Sequence, residues 1–201
     1  MKILSMTESD DARPYHHGRL RDALLQAAEA ELCAVGPDAL SLRACARRAG
    51  VSHAAPAHHF GSVGGLLAEL AAIGFDRLTA AMTLAADSAG TALDSLQATG
   101  MAYVRFALAH PALFRLMFRG NHPAGHTRLR MSGQAAFAVL AGRLDDALTG
   151  WTVTDLPARR RLAWAAVHGL AMLALDGHVA SDDDQDIAAA LARLRVALTG
   201  P

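Results

Sequence analysis

Lysine is all but missing from this chain: of its 19 basic residues every one except Lys2 is an arginine. Cysteine is nearly as scarce. Cys33 and Cys45 are the only two, too few for a disulfide scaffold and short of the ligand set of a zinc site. Charge of one sign is lacking as well, because 19 acids cancel 19 bases. With no net field, a charged partner has to be met by a local patch. No apolar run reaches the roughly 18 residues of a membrane span. The opening MKILSMTESDDARP lacks the apolar stretch of a secretory signal, so the expected setting is a reducing cytoplasm.

Catalytic signatures are missing too. There is no nucleophile elbow, no glycine loop shaped for phosphate, no HExxH and no carboxylate pair in apolar surroundings. The expectation is a protein that is not an enzyme and holds no cofactor. His122 and His126 are separated by Pro123 in a loop with no further ligand near, so no metal is expected either.

What fills the 201 residues is alanine, 45 of them, in a composition that is 52% hydrophobic and only 5% aromatic. Alanine favours helix and is depleted in strands, which predicts an all-α fold. Residues 1–15 are polar and aperiodic, and read as a flexible arm. From His17, Leu20, Leu24, Ala28 and Leu32 share one helical face up to Gly36-Pro37. Ser41 caps a short helix that ends at Gly50, Ser52 opens a third helix running to about His59, and Ser62 opens a long fourth. A fifth bends at His110-Pro111, a short sixth holds Phe114 and Met117, and a seventh ends at Gly150. The eighth spans about Pro157 to Val179 with small residues on one face. The ninth follows Ser181 and carries the stripe Ile187, Leu191, Leu194 and Leu198, giving about nine helices.

The short pair joined by Ala49-Gly50-Val51-Ser52 has the length and turn of a helix-turn-helix, although an αα-turn inside an ordinary bundle shares that outline. The order of elements adds to it: a first helix, the short pair, then His58-His59-Phe60-Gly61-Ser62 before a long helix. Residues 16–67, HHGRLRDALLQAAEAELCAVGPDALSLRACARRAGVSHAAPAHHFGSVGGLL, resemble the tetracycline-repressor-like family of transcriptional regulators. The carboxyl half, in His110-Pro111-Ala112-Leu113-Phe114-Arg115-Leu116-Met117-Phe118 and in Trp164, His168 and Gly169, resembles the effector domain named for its Trp, His and Gly. The resemblance implies a DNA-binding domain over 16–62 and an effector-binding and dimerisation domain over 63–201. It further implies a homodimer through helices eight and nine, a double-stranded palindromic operator and a small-molecule effector.

On that reading Arg19, Arg43, Ser52, His53, Ala54, Ala57, His58 and His59 are the candidates for the DNA face. Ala57 stands where the family carries a phosphate-touching tyrosine, and Val63 where it carries a phosphate-touching lysine, so binding should be weaker and its salt slope shallow. Between residues 13 and 62 six arginines face four acids, with histidines beside them. Imidazoles gain charge below about pH 6.5, which predicts tighter binding at about pH 6 than at about pH 8. Arg47 and Arg48 read first as a solvated face and only second as DNA contacts, and His59 reads equally as a packing partner of Phe60. The effector candidates are Phe106, His110, Phe114, Met117, Phe137, Trp164 and His168, an apolar lining with two polar handles, though aromatics at helical spacing also build ordinary cores. Two other readings stay open: a helical ligand-binding protein with weakened or lost DNA binding, and a regulator switched by Cys33 and Cys45.

Overall fold

The computed structural model describes residues 13–120, 122, 125–149, 155–179 and 184–199, and among them all regular structure is helical. Nine helices follow one another: α1 (Arg13–Ala39), α2 (Leu42–Ala49), α3 (Ala55–Phe60), α4 (Val63–Asp87), α5 (Ala92–Ala109), α6 (Pro111–Met117), α7 (Thr127–Ala147), α8 (Leu156–Leu175) and α9 (Asp184–Thr199). Two compact units meet between Leu66 and Leu67.

In the first unit α1 buries Leu24, Ala28 and Leu32 on its predicted stripe. It begins at Arg13, four residues before His17. At Gly36 the backbone leaves helical geometry (φ 76°, ψ 172°) and only a last turn follows. α2 is delimited as its local chemistry dictates. The Ala44 amide donates to Ser41 Oγ at 3.2 Å. At the other end Gly50 takes φ 67°, its amide donates to the Arg47 carbonyl, and the Val51 amide donates to that of Ala46. Cys45 and Ala46 face inward.

The third helix starts later than the serine at 52 suggested. Ser52 caps nothing with its side chain; its carbonyl accepts from the Ala55 amide at 3.1 Å, and α3 opens at Ala55. Proline decides this. Beginning at Ala55 places Pro56 second in the helix, where an amide hydrogen has no intrahelical acceptor to miss.

The second unit is built around α5, which packs against α6, α7, α8 and α9. Thr91 Oγ1 caps it by accepting from the Asp94 amide at 3.1 Å; of the helical-period residues Leu93, Leu96, Gly100, Val104 and Ala107, the last four are buried, while Leu93 in the first turn is 40% exposed. Pro111 forces the corner at His110 that separates α5 from α6. α8 ends at Leu175 instead of near Val179, because Gly177 (φ 74°) and a hydrogen bond from the His178 amide to the Leu173 carbonyl at 2.8 Å close it. Its small-residue stripe is also split. Ala163 turns inward with Val167, Ala171 and Ala174, while Leu162, Ala165 and Leu173 are exposed. The predicted stops and caps at Gly150 and Ser181 lie outside the described residues. Ion pairs fasten α7 to α4: Arg128 reaches Glu69 at 2.7 Å and Asp76 at 2.9 Å, and Arg143 reaches Asp87 at 3.0 Å.

Burial separates two leucines of α4. Leu78 is fully buried whereas Leu84 is 72% exposed. Leu78→Ala should lower unfolding free energy by about 2–5 kcal/mol, through lost transfer energy and an unfilled cavity. Leu84→Ala should stay within about 0.5 kcal/mol. Urea melts of the two variants beside the parent protein measure both.

Candidate nucleic-acid interface and aromatic cluster

In the first unit the sequence candidates separate into an outward row and one half-buried residue. Arg19 on α1, Arg43 in the first turn of α2, Ser52, His53 and Ala54 in the turn, and Ala57 and His58 on α3 are all exposed. His59 is half-buried, its ring 5.6 Å edge-on from that of His58 and 6.1 Å from that of Phe60, so it packs as well as borders the surface. The Arg21 guanidinium sits 5.6 Å over the Phe60 ring and joins α1 to the end of α3.

Arg48 is spent elsewhere. Its Nε donates to Glu31 Oε1 at 2.9 Å, and Glu31 is only 8% exposed, so this cation ties α2 to α1. Cys45 is buried, and that burial, with the Glu31 carboxylate adding to it, pushes its thiol up from the ordinary value. A thiol held protonated is a poor nucleophile. Cys33 is exposed and neither cysteine is in a disulfide.

The α3–α4 junction is unusually close. A Cβ at Gly65 would stand 2.2 Å from the Phe60 carbonyl oxygen, a contact with backbone that no side-chain movement relieves. Ser62 starts α4 there by accepting from the Gly65 amide at 3.1 Å.

In the second unit a set of rings converges from α5, α6 and α8. Phe114, Trp164 and His168 come together as the sequence suggested, with the His168 ring stacked 5.6 Å from that of Phe114. Phe137 joins through Trp164 at 5.5 Å. Three members are not among the effector candidates of the sequence: Tyr103, Phe118 and Phe75. Tyr103 could have been found, since it lies three residues after Gly100 and four before Ala107 on the buried stripe. Its ring is 5.6 Å from Phe114 and 5.4 Å from Trp164, both edge-on.

The other candidates lie apart from this set. His110 is exposed at the α5–α6 corner, with its ring 4.9 Å from that of Phe106. Met117 is 3% exposed and fits against α4 at Gly74. His122 Nε2 donates to the Leu116 carbonyl at 2.9 Å and so closes the end of α6.

One polar contact organises the cluster. Tyr103, fully buried, places its hydroxyl 3.0 Å from His168 Nδ1. Burial pushes the phenol far above its ordinary value and keeps it neutral. A buried hydroxyl that failed to donate would be an uncompensated donor, so the phenol donates and Nδ1 accepts. His168 then carries its proton on Nε2. Burial lowers its pKa from the ordinary 6.5, so the folded protein favours the neutral ring. The sign follows: stability contributed by the neutral ring is full above about pH 6.5 and is lost as pH falls toward the lower folded value. Imidazole ¹⁵N spectra should show His168 as the Nε2–H tautomer at neutral pH with a midpoint below 6.5, and Tyr103→Phe should remove the tautomer preference.

Residues 96–198 match the family described as tetracyclin repressor-like, C-terminal domain, and residues 24–70 match bacterial regulatory proteins, tetR family. No curated protein matches the sequence. Among solved structures the chain is similar to a protein of unknown function from Rhodococcus sp. RHA1, with 38% identity over 93% of this chain and 99% of that one, and a TM-score of 0.81. It shares its fold with a TetR family transcription regulator from Marinobacter aquaeolei VT8, 20% identical over 91% and 97% of the two chains, TM-score 0.71. The same holds for a tetR-family regulatory protein from Rhodococcus RHA1, 21% identical over 90% and 97%, TM-score 0.70.

Proposed function

Because this chain belongs to the tetracycline-repressor-like family of bacterial regulators, we propose that it is a ligand-responsive repressor that holds a palindromic operator as a homodimer. Regulators of this family bind DNA, usually as dimers that answer to small molecules, and are generally not enzymes. No helix among the described residues is long and apolar enough to cross a membrane. Residues 16–62 are assigned to DNA and 63–201 to the effector and the partner subunit.

The observation that carries the proposal is the α2–α3 pair. Cys45, Ala46 and Pro56 face inward and leave Arg43, His53, Ala54, Ala57 and His58 as one exposed set around a glycine turn. α3 would lie in the major groove of each half-site, the two sites about 34–36 Å apart. Arg43 sits in the first turn of α2, where backbone amides and the helix dipole favour phosphate. The effector reading rests on the aromatic cluster, with Phe114, Phe137 and Trp164 giving shape and His168 a neutral polar end; Phe106, His110 and Met117 lie apart from it. A small, largely apolar effector releases DNA only by preferring the non-binding conformation. Moving a 1:99 equilibrium to 99:1 takes about 10⁴-fold preference.

Ala57 and Val63 favour a second reading, a ligand-binding protein whose hold on DNA is lost. Selection from random duplexes at low salt decides between them. Enrichment of a palindrome supports the repressor, and recovery of no duplex removes it. With an operator in hand, Val63→Lys should tighten binding and steepen the plot of log affinity against log salt by about 1.

The homodimer is assigned to α8 and α9, where Leu162, Leu173 and Val196 are 56%, 47% and 65% exposed. Large apolar side chains left exposed on neighbouring helices suit an association surface. Leu162→Glu combined with Val196→Glu should give a monomer in sedimentation at micromolar concentration, against a dimer for the parent chain.

A further inference from the structure

Four rings of the second unit keep part of their surface in solvent. Phe118 at the end of α6, Phe137 on α7, and Trp164 and His168 one turn apart on α8 are each half-buried, while Tyr103 and Phe114, packed against them, are fully buried. The four form one run: Phe118 lies 4.3 Å from His168 and 6.2 Å from Trp164, and Phe137 lies 5.5 Å from Trp164. The result is an aromatic face backed by further rings, a surface suited to a flat apolar molecule.

The polarity of that face is fixed from the interior. Tyr103 gives its hydroxyl proton to His168 Nδ1, so the imidazole proton sits on Nε2. The two ring nitrogens diverge, and with Nδ1 turned to the buried phenol, Nε2–H is directed away from the core. Among the described residues it donates to no acceptor, and it is not enclosed in the interior. Trp164 adds an indole N–H, again a donor. A ligand lying on this face meets donors and uncharged rings.

That restricts the polar end of the ligand. An ammonium brings only further donors. A carboxylate accepts, but gives up hydration among uncharged rings with no cation to offset it. A hydroxyl accepts and leaves its own proton without an acceptor on the face. A neutral carbonyl accepts from Nε2–H and has no proton to place, and an aryl group beside it stacks on the rings.

Resting on the reading of this cluster as the effector site, we infer that the effector is a neutral aromatic carbonyl compound, an aryl ketone or aldehyde, whose oxygen accepts from His168 Nε2 and whose ring lies against Phe118, Phe137 and Trp164. Tyr103 is then a positioning residue. It selects for an acceptor by holding the imidazole proton on the outer nitrogen.

Acetophenone and ethylbenzene differ by one oxygen in place of two hydrogens and serve as probes of the full chain, followed through the ¹⁵N signals of the Trp164 indole and the His168 imidazole. The expected result is saturable binding of acetophenone that moves the His168 Nε2 signal, and no such movement with ethylbenzene. Tyr103→Phe should weaken acetophenone at least fivefold and leave ethylbenzene within twofold, a difference that loosened packing would not produce. His168→Leu should widen that difference. Saturable binding of both probes at the Trp164 signal with an unmoved Nε2 signal, or equal losses for both in Tyr103→Phe, would overturn the carbonyl class and leave the effector reading standing. No saturable change with either probe would overturn both, with water as the occupant of the donor. The two-probe comparison uses the unaltered protein, so it decides the matter even if neither variant folds.

Discussion

Close approach between helices that carry small side chains is the constraint on which the second unit depends. Ala163, Ala171 and Ala174 on α8 and Gly100 on α5 bury little apolar surface each. Packing of this kind gains its energy from the number of near contacts, which requires the backbones to come together. The large side chains are then concentrated. Tyr103, Phe114, Phe118, Trp164 and His168 occupy one region, and the rest of the bundle closes with alanine and leucine. Shape in this protein is therefore decided at the rings, while the remainder of the interior has little volume to rearrange.

Arginine takes up the electrostatic work that a mixed basic composition would share. The planar guanidinium grips carboxylates through two nitrogens, as Arg105 does with Asp184 at 2.6 and 3.3 Å. That contact holds the Asp184 carboxyl below its usual range. Exposed pairs of this type orient helices more than they stabilise them. Arg128, bridging two acids about two helical turns apart on α4, sets the register of α7 against α4 in the same way.

Elements governed by neighbours in sequence were legible before any coordinates. Ser41 and Gly50 delimit α2 because capping acts over three or four residues, and Pro111 breaks α5 from α6 for the same reason. The start of α3 was misjudged because two local signals competed, and the demand of Pro56 for the first turn outweighed the capping tendency of Ser52. The burial of Tyr103 was readable from its place on the α5 stripe, but its bond to His168 was not, because that partner lies 65 positions away and no periodicity announces a hydrogen bond across that distance. On α8 both faces are rich in alanine, so hydropathy carries too little contrast to tell Ala163 from Ala165. Among the site candidates, Phe114, Trp164 and His168 were recognisable by type, whereas His110 lies at a corner whose outward turn depends on how α6 folds back.

In the proposed complex Pro56 would also limit how much DNA one α3 reads. A helix of six residues rises only about 9 Å, close to three base-pair steps of about 3.4 Å. One such helix reads a short word, and short words recur throughout any genome. In the proposed dimer, discrimination would then come from the fixed interval between two words, a ruler set by the subunit contact far from the bases themselves.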